Sequence, residues 1–120
     1  MVDSLEVHGL NFKLWVLCLT EECKKILDAI DSPNIEGYSL NEIEKEFPEL
    51  LKAKGNRSLP EYYFTLSPFW PNWLLDNKPE ISSITYLDAD LAFLSSPESL
   101  FDEVENSSIG IIEHRFHSSF

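Results

Sequence analysis

The chain has 120 residues, 43% hydrophobic and 12% aromatic, with a formal net charge of −12. That size and composition fit one globular domain with a core of its own and exclude a disordered chain. Such acidity argues against nucleic acid and anionic membranes as partners, and the longest apolar run, Leu14 to Leu19, is far too short to span a bilayer.

The first predicted element is a strand over Phe12 to Leu19, "FKLWVLCL", nearly continuous in apolar residues and so buried on both faces. Thr20 is a good N-cap for a helix over Glu21 to Ile30, with Cys23, Ile26, Leu27 and Ile30 on one face. "DSPN" ends it, and Asn34 to Leu40 reads as a second strand. Ser39 or Asn41 caps a further helix carrying Ile43, Phe47, Leu50 and Leu51, which Pro48 interrupts or divides. "KAKGNRS" reads as a loop. Ser58 then opens a long aromatic helix, with Pro60 in its first turn and Pro68 and Pro71 expected to kink or end it.

The stretch "SSITYLDADLAF", Ser82 to Phe93, rises to Leu87 as what reads as the most buried strand and then presents Asp88 and Asp90. Ser95 and Glu98 have capping-box spacing, Pro97 falls in a first turn, and Leu100, Phe101 and Val104 supply an apolar helical face. A last strand, Ile109 to Ile112, ends in Glu113, His114 and Arg115. The order β-α-β-α-α-β-α-β predicts an α/β fold, Rossmann-like, with a mostly parallel sheet and flanking helices.

Cys18 and Cys23 fit neither a disulfide framework nor a zinc pattern. They read as free thiols of a reducing compartment, and no signal peptide is visible, so the expected location is cytoplasmic.

Ligands of open parallel sheets sit beyond the carboxyl ends of the strands, which is where this reading puts Asp88, Asp90, Glu113 and His114. Residues two apart in an extended stretch point the same way. Asp88 and Asp90 can therefore face one hard divalent ion, with Ala89 adding no bulk between them. Such an ion can neutralise a diphosphate leaving group as its bond breaks. A lone D-x-D also arises by chance, and an aspartate at a strand end can simply make a turn.

The phrase "ITYLDADLAFLSSPESLFDEV" resembles the D-x-D segment of the GT-A glycosyltransferases, the nucleotide-diphospho-sugar transferase superfamily. "NRSLPEYYFTLSPFWPNWLL" before it and "SIGIIEHRF" after it extend the likeness over roughly Gly9 to His117. The resemblance implies transfer of a sugar from a nucleoside-diphosphate sugar to an acceptor of unknown identity. Asp88 and Asp90 would hold manganese or magnesium and, through it, the donor diphosphate, with Asp90 the firmer metal ligand and Asp88 also reaching the ribose. Arg57 matches a basic position that meets the diphosphate, against its plain reading as a loop arginine. His114 would approach the sugar or the acceptor, against a surface histidine without a role. Tyr62, Tyr63, Phe64, Phe69, Trp70 and Trp73 are dense enough for a sugar platform, although aromatic stripes on helices are more often core. Thr65, inside "YYFTLSPF", faces the core or the site, with packing the favoured role. No catalytic base or nucleophile is assigned.

Measured against that family the chain reads as one incomplete domain over residues 1–120. "MVDSLEVHGLNF" looks like the tail of a helix that follows an absent first strand, and the acceptor-binding half is missing after "EHRF". An uncovered sheet edge and an exposed apolar face would favour low stability or a homo-oligomer. Two other readings compete. One is a non-catalytic remnant acting as a binding or oligomerisation module. The other is an aspartate-dependent phosphohydrolase, which is disfavoured because the motif comes late and Leu91-Ala92 follow it.

Overall fold

The computed structural model describes residues 1–105. The predicted strand at Ile109 to Ile112, with Glu113, His114 and Arg115, lies outside the described residues. The chain divides into two compact units, one formed by Met1–Leu10 with residues 89–105 and the other by Asn11–Asp88.

The larger unit is mixed helix and strand. Strand β1 (Leu14–Cys18), helix α2 (Glu21–Ile30) and strand β2 (Ile35–Ser39) form a parallel β-α-β unit; helix α1 (Val2–Val7) belongs to the smaller unit. The two strands run in parallel register from Leu14 opposite Ile35 to Cys18 opposite Ser39. Thr20 stands in extended backbone, and its Oγ1 accepts the Cys23 N–H at 3.2 Å, satisfying one of the free donors of the first turn of α2. Glu21 and Glu22 complement the positive end of that helix. Asp31 ends it in the left-handed region, φ 49°, which aspartate tolerates better than most residues. Gly37 of β2 lets α2 close on the sheet, since a Cβ there would stand 3.3 Å from both Cys18 Sγ and Leu27 Cδ1.

Helices α3 (Leu40–Glu46) and α4 (Pro48–Asn56) follow, divided at Pro48, the first residue of α4. The predicted loop over Lys52 to Ser58 is corrected: α4 continues to Asn56. Leu50 anchors its inner face, Ala53 packs on the core, and Lys54 reaches across to Glu44 of α3.

Helix α5 runs unbroken from Leu59 to Asn77, so Pro68 and Pro71 do not end it. Tyr62, Leu66, Trp70 and Leu74, four apart, form its buried stripe. Pro68 falls on the far face, as does Phe64, the residue whose carbonyl loses its partner; both are exposed, so that carbonyl is left to water. At the start, Glu61 Oε2 accepts the Ser58 N–H at 2.8 Å and the Ser58 hydroxyl at 2.6 Å. The core joins this stripe to Leu40, Ile43 and Leu50, with Trp15, Tyr38, Phe47 and Phe69 packed against it.

The third predicted strand does not form among the described residues, where residues 82–88 join no ladder. Ile81, Ile84 and Leu87 are half-buried, a period of three rather than two, and Tyr86 is 53% exposed. The Leu14 N–H bonds Asn34 O, so the peptide groups of Trp15 turn to the outer edge of β1. There the Trp15 carbonyl accepts the Trp70 indole N–H at 3.3 Å. A side chain thus takes an acceptor that a neighbouring strand would use.

In the smaller unit, helix α1 (Val2–Val7) holds both peptide groups of one residue. Ser4 Oγ accepts the Phe93 N–H at 3.0 Å, and His8 Nε2 lies 3.2 Å from Phe93 O. Helix α6 spans Glu98–Val104. Its start is set by Ser96 rather than Ser95, since Ser96 Oγ accepts the Glu98 N–H at 3.3 Å. Leu100, Phe101 and Val104 are 51%, 52% and 41% exposed, so the expected apolar face of this helix is not buried. No helix among the described residues is long and apolar enough to cross a membrane.

Candidate functional site

Asp88 is the last residue of the larger unit and follows the half-buried Leu87. Asp90 belongs to the smaller unit and sits in the turn at Ala89 and Asp90. Both side chains are exposed. The buried strand expected to carry them is replaced by the irregular stretch described above. Among the described residues, no group of three or more His, Cys, Asp or Glu side chains is gathered as a metal site.

Arg57 follows the last turn of α4 in extended backbone, and its guanidinium donates to Thr65 Oγ1. Thr65 in turn donates to the Glu61 carbonyl at 2.9 Å. Arg57 therefore braces the junction of α4 and α5, and the Thr65 hydroxyl is engaged by hydrogen bonds at that junction. His114 lies outside the described residues.

The aromatic block of α5 divides by face. Tyr62 and Trp70 are buried, Phe69 and Trp73 half-buried, and Tyr63 and Phe64 exposed. Trp70 stacks on Trp73 with centroids 5.3 Å apart, and Tyr38 of β2 meets both, at 5.0 and 5.4 Å. Phe69 meets Phe47 edge-on at 5.2 Å. These contacts make the inward aromatics core.

One polar cluster was missed in the sequence. Glu36 Oε1 accepts the Tyr38 hydroxyl and, at 3.1 Å, Lys78 Nζ, while Lys13 Nζ stands 3.7 Å from Oε2. The Tyr38 hydroxyl, helped by Lys78, holds the Glu36 carboxyl below the usual range despite partial burial. Contacts with Tyr38 and Glu36 push Lys78 up to about 12. Alternation was the available signal, because Glu36 and Tyr38, two apart in a strand, share a face. A cavity of about 550 Å³ adjoins this cluster, lined by Lys13, Trp15, Glu36, Glu80 and Ser82 among others. It opens at the amino ends of β1 and β2, opposite the end where the carboxylate pair was expected.

At the carboxyl ends of the strands, Glu21 Oε1 accepts the Ser39 hydroxyl at 2.7 Å and the Asn41 amide at 2.9 Å. Those two bonds hold the Glu21 carboxyl below the ordinary carboxylate range. Ser39 therefore ties β2 to α2 instead of capping α3.

No family model matches the chain, and no solved structure matches it. It is 33% identical over 115 residues to the uncharacterized protein YfnD of Bacillus subtilis (strain 168), across 96% of this chain and 36% of that protein. It is 28% identical over 109 residues to the uncharacterized protein YfnF of the same organism, across 91% of this chain and 35% of that protein. The chain thus spans about a third of the length of the curated relatives it matches.

Proposed function

We propose that the chain is the nucleotide-sugar-binding part of a metal-dependent glycosyltransferase of GT-A type. In this reading β1, α2 and β2 belong to a Rossmann-like, mostly parallel sheet with flanking helices. Asp88 and Asp90 hold manganese or magnesium, and the ion binds the diphosphate of a nucleoside-diphosphate sugar. The ion would stabilise charge on the departing nucleoside diphosphate as the sugar passes to an acceptor.

The observation that carries this reading is the pair of exposed carboxylates, one residue apart, inside a phrase that resembles the D-x-D segment of that superfamily. The parallel β-α-β unit of the larger body supports it at the level of fold class. Arg57 enters only as a side chain that would have to leave Thr65 to meet a phosphate.

Calorimetric titration of UDP into the purified chain, with and without manganese, tests the reading. Manganese-dependent binding that disappears in Asp90→Ala is the expected result. Absence of binding under both conditions would favour a non-catalytic binding or oligomerisation module.

A further inference from the structure

The cavity at the amino ends of β1 and β2 has a wall set by strand register. Trp15 of β1 stands opposite Glu36 of β2, and Lys13, two residues before Trp15, shares its face. After α5, the Ile81 N–H bonds the Lys78 carbonyl at 2.9 Å, and this turn carries Glu80, Ser82 and Ser83 to the same cavity. All of these residues belong to the larger unit. The volume, about 550 Å³, suits a small molecule.

The chemistry of the wall selects among small molecules. Glu36 and Glu80 are matched in charge by Lys13 and by Lys78, which bonds Glu36 at 3.1 Å. Glu36 engages Oε1 with the Tyr38 hydroxyl and Lys78, whereas Oε2 has no hydrogen bond among the described residues and Lys13 Nζ stands 3.7 Å from it. Lys13 Nζ gives one N–H to the Pro33 carbonyl at 2.9 Å and has others to give. A free acceptor and a free donor thus lie side by side, with the exposed Ser82 and Ser83 in the same lining. Trp15 is half-buried, packing on the core while lining the cavity. Its indole Nε1 is buried and has no partner among the described residues, a condition native folds seldom leave unused.

We propose that this cavity binds a neutral sugar, with one hexose unit laid against Trp15 and its hydroxyls bonded to Glu36 Oε2, Lys13 and the two serines. Each sugar hydroxyl both donates and accepts, which answers a carboxylate and an ammonium group set together. The C–H face of the ring suits an aromatic wall. An anionic ligand would meet Glu36 and Glu80, and a cationic one would meet the two lysines. The inference uses neither Asp88 nor Asp90 and does not depend on the glycosyltransferase reading.

The test follows the indole N–H signals of the three tryptophans by heteronuclear NMR of the full chain, with Trp15 assigned through Trp15→Phe. The probes are glucose, galactose, N-acetylglucosamine and maltotriose, with glucose 1-phosphate and glycerol as controls. At least one neutral sugar should move the Trp15 signal saturably, equally at low and high salt. Glu36→Gln should weaken that sugar by about tenfold, through loss of a charged acceptor, and Asp90→Ala should leave it unchanged. Equal binding of a hexose and maltotriose would identify a free sugar as the ligand, and much tighter binding of maltotriose a glycan chain. No response to any neutral sugar, tighter binding of glucose 1-phosphate than of glucose, an equal response to glycerol, or loss of the response in Asp90→Ala would each overturn the proposal. The parent chain decides the matter even if Glu36→Gln fails to fold.

Discussion

The Tyr62 hydroxyl of α5 donates a 2.7 Å hydrogen bond to Glu44 Oε1 of α3, and the two residues are only 1% and 4% exposed. Lys54 of α4 meets the same carboxylate at 2.8 and 3.1 Å. A buried carboxylate without partners is strongly disfavoured, so this one fixes how three helices pack. Tyr62→Phe removes one bond and leaves the lysine pair, and should lower stability by about 1–2 kcal/mol. Glu44→Ala strands a buried hydroxyl and opens space beside it, and should lower stability by about 2–3 kcal/mol. Urea midpoints at constant m check both, and equal midpoints for Glu44→Ala and the parent would refute the assignment.

Two glycines make opposite predictions. At Gly37 a Cβ meets Cys18 Sγ and Leu27 Cδ1 at 3.3 Å, whereas at Gly55, inside α4, nothing lies within 4 Å. Gly37→Ala should destabilise by about 1 kcal/mol through crowding between β2 and α2. Gly55→Ala should stabilise by about 0.5–1 kcal/mol, because alanine gives up less backbone freedom in a helix. Thermal melts of the two variants should move in opposite directions.

The pH dependence has a sign on each side. Glu21 is held low by Ser39 and Asn41, Glu36 by Tyr38 and then Lys78, and Glu61 by the hydroxyl and N–H of Ser58. A carboxyl depressed in the folded state contributes stability above its unfolded value, about 4.3, and loses it as pH falls through the folded value. Burial and Glu44 raise the Tyr62 phenol, and Lys78 is raised to about 12. Those contributions are complete below the unfolded values, about 10, and fade as pH rises through the folded ones. Stability should therefore plateau from about pH 5 to 9 and fall on both sides. Replacing Glu21 and Glu61 by glutamine should flatten part of the acid limb, measured as urea midpoint against pH, and leave the alkaline limb in place, whereas Glu36→Gln should weaken both limbs because Glu36 also holds Lys78 up.

Elements whose signals were local were legible in the sequence. Thr20 as N-cap, Ser58 as the start of α5, and the division at Pro48 all appear where residue chemistry puts them. Elements decided by tertiary competition were not. Pro68 and Pro71 argue for an interruption, yet the stripe of Tyr62, Leu66, Trp70 and Leu74 carries α5 through both. Ser82 to Leu87 has strand composition, but the Trp15 carbonyl on the β1 edge is taken by Trp70, and burial along the stretch repeats every third residue. Of the candidate site, Asp88 and Asp90 are exposed after an irregular stretch rather than carried by a buried strand, and the bond from Arg57 to Thr65 had no signal in the sequence.

The central claim is that Asp88 and Asp90 hold a divalent ion together with a nucleoside diphosphate. Electron paramagnetic resonance of manganese tests it most directly, because the sharp spectrum of the free ion fades on binding. The account predicts that the parent chain with UDP removes free manganese from solution, more than the chain or UDP alone, and that Asp88→Asn and Asp90→Asn each abolish the excess. An excess that survives both substitutions, or none in the parent chain, would contradict it.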